Sequence, residues 1–262
     1  PPLANAYHAQ YSGPTNNNIL DFTYQIGDLN EENPFVSNAT ERGDFMLTDA
    51  VGNSIAIGTF DSKVDFMPGD STFYLDPSAD AIYLAKYNPN GELMWAKSIR
   101  SGGIVLEDVA MDDFGNLFIV GQTGTWQIAF DSPGSGVIFN GTDSGGDGFI
   151  VKFDANGDYV WSNVIESNYD SKVKQIEINS VGNPIVTGTF GGTLDFNPQG
   201  PPLSVSAVGF PELFMAEYDT NGSAVWVKTL VGGGQIDCLV LDESDSIYLA
   251  GKASSTLDFD AS

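Results

Sequence analysis

One five-residue turn, met four times at nearly constant spacing, limits what this chain can fold into more than any other feature. It is DAVGN at Asp49–Asn53, DDFGN at Asp112–Asn116, NSVGN at Asn179–Asn183 and DESDS at Asp242–Ser246, and successive copies start 63, 67 and 63 residues apart. Trp95, Trp161 and Trp226 keep the same beat, 66 and 65 residues apart. The fullest copy runs from Glu107 to Glu166, through "DVAMDDFGNLFIVGQ" to "GGDGFIVKFDANGDYVWSNVIE". It holds an apolar run into the turn, a second run ending in glycine, a long Gly-rich loop, and two further runs split by a tight turn. Four runs per copy predict four strands, and no segment has helical periodicity. A unit of this kind cannot bury its own faces and has to stack on a neighbour.

Stacked four-stranded units predict an all-β chain, a β-propeller of four-stranded antiparallel blades whose strands are a to d in order. Complete units span residues 44–100, 107–166 and 173–231. The ends supply halves: Ala6–Tyr11 aligns with Ile82–Tyr87 and Ile19–Phe22 with Glu92–Trp95, so residues 1–27 give strands c and d, while residues 237–262 give a and b. Two halves and three wholes predict four blades in a single domain, 1–262, closed by pairing the terminal halves. The alternative is a stretch of a longer array cut at this phase.

The second strand, as in Leu117–Val120 and Ile247–Ala250, is apolar at nearly every position, which predicts cover on both faces. Along the third strand, Tyr83, Phe149, Phe214 and Tyr7, with Tyr87, Phe153, Tyr218 and Tyr11, form an expected wall of rings between blades. Gly58, Gly121, Gly188 and Gly251 end the second strand, where a side chain would block a close backbone approach or a bulge. Gly91, Gly157 and Gly222 fit positive φ in hairpins.

Charge and rare residues narrow the function. With 35 acids against 10 bases, the net charge of −25 repels nucleic acid and anionic membrane surfaces. No stretch reaches the apolar length of a membrane span, and no basic-then-apolar start resembles a signal peptide, so a processed or trimmed soluble chain is expected. Cys238, the single cysteine, sits in an apolar run and is expected to be a buried, inert thiol. His8, the single histidine, falls where Leu84, Ile150 and Met215 stand in other copies, so Ser-His and Cys-His catalysis and a zinc site lack their ligands.

The joint pattern of "NSVGNPIVTGTFGGTLDFNPQG" and "DGFIVKFDANGDYVW" resembles the SBBP-type bacterial β-propeller repeats, and the resemblance extends over nearly the whole chain. It implies a secreted or cell-surface bacterial protein. The family name implies seven blades, whereas four are accounted for here.

Antiparallel order places the a–b and c–d turns on one side and the long b–c loops, 59–80, 122–147 and 189–212, on the other, with the blade-to-blade loops. Long loops on a rigid scaffold are where binding is expected. Asp65-Phe66, Asp195-Phe196 and Asp258-Phe259, with Phe130 in the divergent copy, are expected as loop braces and plugs, as are Asp80, Asp147 and Glu212. Asp44, Glu107, Lys174 and Asp237 share one position at the start of the first strand and form the candidate ligand site at the channel mouth. No cofactor is expected; calcium is the one candidate, and the turns, such as Asp154–Asp158, lack the later glycine and distal glutamate of an EF-hand loop. Deeper first-strand positions, Leu47, Ala110, Glu177 and Val240, hold one carboxylate where glycoside hydrolysis needs two. The expectation is a monomeric, non-catalytic binding or scaffold propeller that meets a protein or glycan through its b–c loops. The alternative is a carbohydrate-active enzyme, a hydrolase or lyase, with its site at the channel mouth.

Overall fold

Each apolar run becomes a strand, and the strands pair with their neighbours in sequence. The computed structural model describes residues 6–10, 22–26, 42–67, 71–77, 81–100, 103–124, 128–130, 138–139, 146–166, 169–198, 200–209, 211–254 and 256. Two compact regions result, Pro1–Ser101 with Asp131–Gly136, and Gly102–Phe130 with Val137–Ser262. Among the described residues all regular structure is β.

In the first region, β1 (Ala6–Gln10) and β2 (Phe22–Ile26) form an antiparallel ribbon with His8 opposite Tyr24. Then come β3 (Arg42–Thr48), β4 (Ser54–Phe60), the short β5 (Val64–Asp65) and β6 (Tyr74–Leu75), β7 (Ala81–Tyr87) and β8 (Leu93–Arg100). β3, β4, β7 and β8 lie side by side, all antiparallel, while β5 and β6 pair as a small ribbon in the loop. β1 lies against β3 and β4.

The second region repeats the plan. β9 (Val105–Met111) and β10 (Leu117–Gln122) are followed by a two-residue ribbon, β11 (Ile128–Ala129) with β12 (Ile138–Phe139), then β13 (Gly148–Phe153) and β14 (Tyr159–Ile165). β15 (Lys172–Ile178), β16 (Pro184–Phe190), the ribbon β17 (Thr193–Asp195) with β18 (Ser204–Ser206), β19 (Glu212–Tyr218) and β20 (Ala224–Leu230) come next. β21 (Gly234–Leu241) and β22 (Ile247–Ala253) form a two-stranded sheet. The order within the two full sheets is β9-β10-β13-β14 and β15-β16-β19-β20. Each first strand packs on the first three strands of the sheet before it: β15 on β9, β10 and β13, and β21 on β15, β16 and β19.

The core is where these sheets meet. Phe118, Val120 and Ile150 of one sheet share a buried cluster with Val173, Val186, Phe190, Phe196, Phe214 and Tyr218 of the next. The third-strand rings are enclosed as the alternation predicts, with Tyr83, Phe149, Phe214, Tyr87, Phe153 and Tyr218 all buried. Phe190, Phe196 and Phe214 pack edge to face at centroid distances of 5.9, 6.1 and 4.9 Å. Phe60, Phe66 and Tyr83 repeat that trio at 5.9, 6.0 and 5.1 Å. Such geometry contributes beyond the area buried, about 0.5–1.5 kcal/mol per pair. Tyr7 and Tyr11, assigned to the same wall, lie outside the described side chains.

Two expectations fail at the end of the stack. Cys238 is exposed, not buried. β22 is apolar yet open, with Tyr248 57% and Leu249 37% exposed. The cause is common to both: among the described residues of this region no first strand follows β21 to cover Cys238 as β15 covers Asp108, and β22 pairs with β21 alone.

Candidate functional site

Asp44, Glu107, Lys174 and Asp237 share a backbone feature that the sequence did not announce. In every first strand the pairing skips one residue: Gly43 pairs with Gly58 and Phe45 with Ile57, Leu106 with Gly121 and Asp108 with Val120, Val173 with Gly188 and Gln175 with Thr187, Ile236 with Gly251 and Cys238 with Ala250. The four candidate residues are therefore the extra residues of four β-bulges, outside the ladder and re-aimed by the local kink. The facing glycine makes the bulge fit. A Cβ on Gly188 would stand 1.9 Å from the Lys172 carbonyl and 2.6 Å from the Phe214 ring, and one on Gly58 would stand 1.9 Å from the Arg42 carbonyl.

Within the second region two of the bulge residues pair with each other. Lys174 Nζ donates to Glu107 Oε1 at 2.5 Å, an ion pair across the two neighbouring first strands. Asp237 is exposed; its Oδ1 accepts from Gln235 Nε2 at 2.5 Å, and its backbone carbonyl accepts from Gln175 Nε2 at 2.6 Å. Asp44 belongs to the first region, where its Oδ1 meets Arg42 Nε at 2.6 Å. Among the described residues no group of three or more His, Cys, Asp or Glu is placed to hold a metal ion.

The residue that reading by repeats missed is Asp108. Its Oδ2 accepts from Ile176 N at 3.0 Å and its Oδ1 from Val109 N at 2.9 Å, so one carboxylate caps an open-edge amide of the next first strand. Burial pushes its pKa up despite those two bonds. Burial also raises Glu177, and the neighbouring charge of Asp108 raises it further. The equivalents of Asp108 are Phe45, Gln175 and Cys238, so no recurrence marks the position.

The loop side is built on braces. Asp65 Oδ1 accepts from Met67 N at 3.0 Å and Phe73 N at 2.9 Å; Asp195 Oδ1 accepts from Asn197 N at 3.0 Å and Leu203 N at 2.9 Å. Phe66 and Phe196 beside them are fully buried. Glu212 Oε2 takes Val208 N at 2.6 Å, so it is a brace as well. Asp80, Asp258 and Phe259 lie outside the described residues. What the β5–β6 hairpin leaves outside is aromatic: Phe73 is 38% and Tyr74 46% exposed, with Lys63 Nζ 4.1 Å above the Tyr74 ring.

On the opposite side, three a–b turns of the second region border a cleft of about 640 Å³. Met111, Ile178 and Leu241, where the first strands end, supply apolar lining. The turns hold themselves together: Asp112 Oδ1 accepts from Phe114 N and Asn116 N, and Asp242 Oδ1 from Ser244 N and Ser246 N. Asp245 occupies the turn's glycine position at φ 60°. Its carboxylate receives Ser180 N at 2.8 Å and Ser180 Oγ at 2.5 Å, tying one turn to the next.

Comparison with known proteins fits a repeat protein. The chain is 26% identical over 201 residues to an uncharacterized WD repeat-containing protein of Acanthamoeba polyphaga mimivirus; the match covers 65% of this chain and 14% of that much longer protein. Among solved structures, a protein of unknown function from Bacteroides caccae aligns over 90% of this chain and 76% of its own, at 10% identity and a TM-score of 0.36. No family model matches.

Proposed function

We propose that this protein is a non-catalytic binding or scaffold propeller of the SBBP type, secreted or displayed on a bacterial surface, that engages a protein or glycan through its b–c loops. The observation that carries the reading is the braced hairpin of β5 and β6. Asp65 fixes its backbone, Phe66 anchors it, and Phe73 and Tyr74 stand outward, Tyr74 with Lys63 over its ring. An exposed ring on a rigid support loses little entropy on binding and can stack on a sugar face or a partner side chain. Distant likeness to a WD repeat-containing protein supports the interaction role. In this reading the protein is a monomer without a cofactor, and β1 with β2 supplies the third and outer strands of a fourth blade whose inner pair is β21 and β22. The position of β1 against β3 supports that, since β13 stands in the same relation to β15 and β19 to β21.

A glycan array and a surface-protein panel, read beside turnover assays on the captured ligands, test the proposal. Capture without turnover, lost in Tyr74→Ser, is the expected result. One observation favours a carbohydrate-active enzyme as the second reading: Asp108 and Glu177 form a pair of carboxyls with raised pKa values. Turnover abolished by Glu177→Gln would replace the first reading with the second.

A further inference from the structure

We infer that the turn-side cleft of the second region is a separate docking surface for an extended peptide segment that alternates basic and apolar side chains. The apolar part of the argument comes first. Met111, Ile178 and Leu241 line the cleft, and at its rim Phe114 is 80% and Val181 68% exposed. Large apolar side chains held out by turns of five residues are not needed by those turns, whose bonds run through Asp112 and Asn179. Exposed apolar groups gathered around a cleft mark contact surfaces.

Charge selects the occupant. Asp112, Asp242 and Asp245 are engaged by turn amides or hydroxyls, but Asp113 and Glu243 stand exposed at the rim and Glu177 is half-buried within. Among the described residues no lysine or arginine lines the cleft. An acidic or phosphorylated partner is repelled, and a purely apolar one leaves the carboxylates uncompensated. A segment with Lys or Arg on one side and Leu, Val or an aromatic residue on the other answers both features, and complementary charge speeds the encounter as well as fixing its register. Within the second region this surface lies at the opposite strand ends from the b–c loops, and Tyr74 belongs to the first region, so the two proposals stand or fall separately.

The test is fluorescence anisotropy with the full chain and three labelled heptapeptides, alternating Arg-Leu, Arg-Ser and Glu-Leu, with spermine as a competitor. Saturable binding of Arg-Leu alone is expected, weakened about tenfold by Phe114→Ser and again by Asp113→Asn with Glu243→Gln. Phe114, Asp113 and Glu243 are exposed, so these variants stay folded. Tyr74→Ser, on the loop side, should leave the affinity unchanged. Equal binding of Arg-Ser and Arg-Leu, competition by spermine that ignores Phe114→Ser, or no saturation with Arg-Leu would each overturn the inference.

Discussion

β16 and β22 hold the same place in their repeats and have the same apolar character, yet one is enclosed and the other is not. Val186, in the middle of β16, is fully buried; Leu249, its counterpart two residues before the repeat's glycine, is 37% exposed. β16 lies between β15 and β19, with β21 packed across it, whereas among the described residues β22 is hydrogen-bonded to β21 alone. Burial is thus conferred by the next sheet in the stack, and β22 carries the apolar pattern without a described sheet across it.

The comparison is most exposed to test in the core. Phe214→Ala should cost about 3–5 kcal/mol in urea unfolding, and Leu249→Ala at least about 2 kcal/mol where the proposed fourth blade closes over β22. A Leu249→Ala cost below about 1 kcal/mol would leave β22 open and refute that closure. Next in size is the tie between repeats at Trp161. Its Nε1 donates to Thr220 O of the following repeat at 3.0 Å, and its ring lies over Gly222. Trp161→Phe should cost about 1 kcal/mol through that bond alone. Trp226 stays at home and donates to Glu217 Oε2.

A pH effect follows from the carboxyls between the first two sheets of the second region. Burial raises Asp108 and Glu177, so between the ordinary carboxylate range and their folded values the native chain holds more protons than the unfolded one. Stability contributed there falls as pH rises through that window, and the loss is complete above it. Glu177→Gln should flatten the decline when urea midpoints of variant and wild type are compared from mildly acidic to neutral pH; parallel curves would refute the coupling. Smallest is the bulge set. The half-exposed Glu107–Lys174 pair contributes about 1 kcal/mol or less, and melts in EDTA and in millimolar calcium should coincide for wild type and for Glu107→Gln with Asp237→Asn. A calcium shift confined to wild type would make the bulge residues a cation seat.

The repeat, its four strands and its ring wall were legible because each is written several times over. So were the glycines: Gly91, Gly157 and Gly222 do take φ of 80°, 73° and 87°. What repetition hides is the residue that works once. Asp108 has no counterpart, and Asp245 replaces a glycine in the least regular turn, where its strained backbone is offset by two bonds to Ser180. Compensating pairs were equally hard to see. Lys86 meets Asp49 at 3.1 Å, while at the matching positions Asn179 Nδ2 donates to Glu217 Oε1 at 3.2 Å, so both members changed together. The cleft escaped notice because tight turns look featureless in sequence, and its walls come from three of them, some sixty-five residues apart.

The bulges have an evolutionary corollary. A residue outside the ladder exchanges no backbone ladder bonds, so its identity is free to drift while the facing glycine preserves the kink. The four copies already display aspartate, glutamate, lysine and aspartate there on an otherwise uniform chassis. Positions 44, 107, 174 and 237 are therefore sockets: a combinatorial library randomised at those codons should keep the fold while sampling many surface chemistries, and duplication followed by drift in such sockets is a cheap route from one scaffold to many specificities.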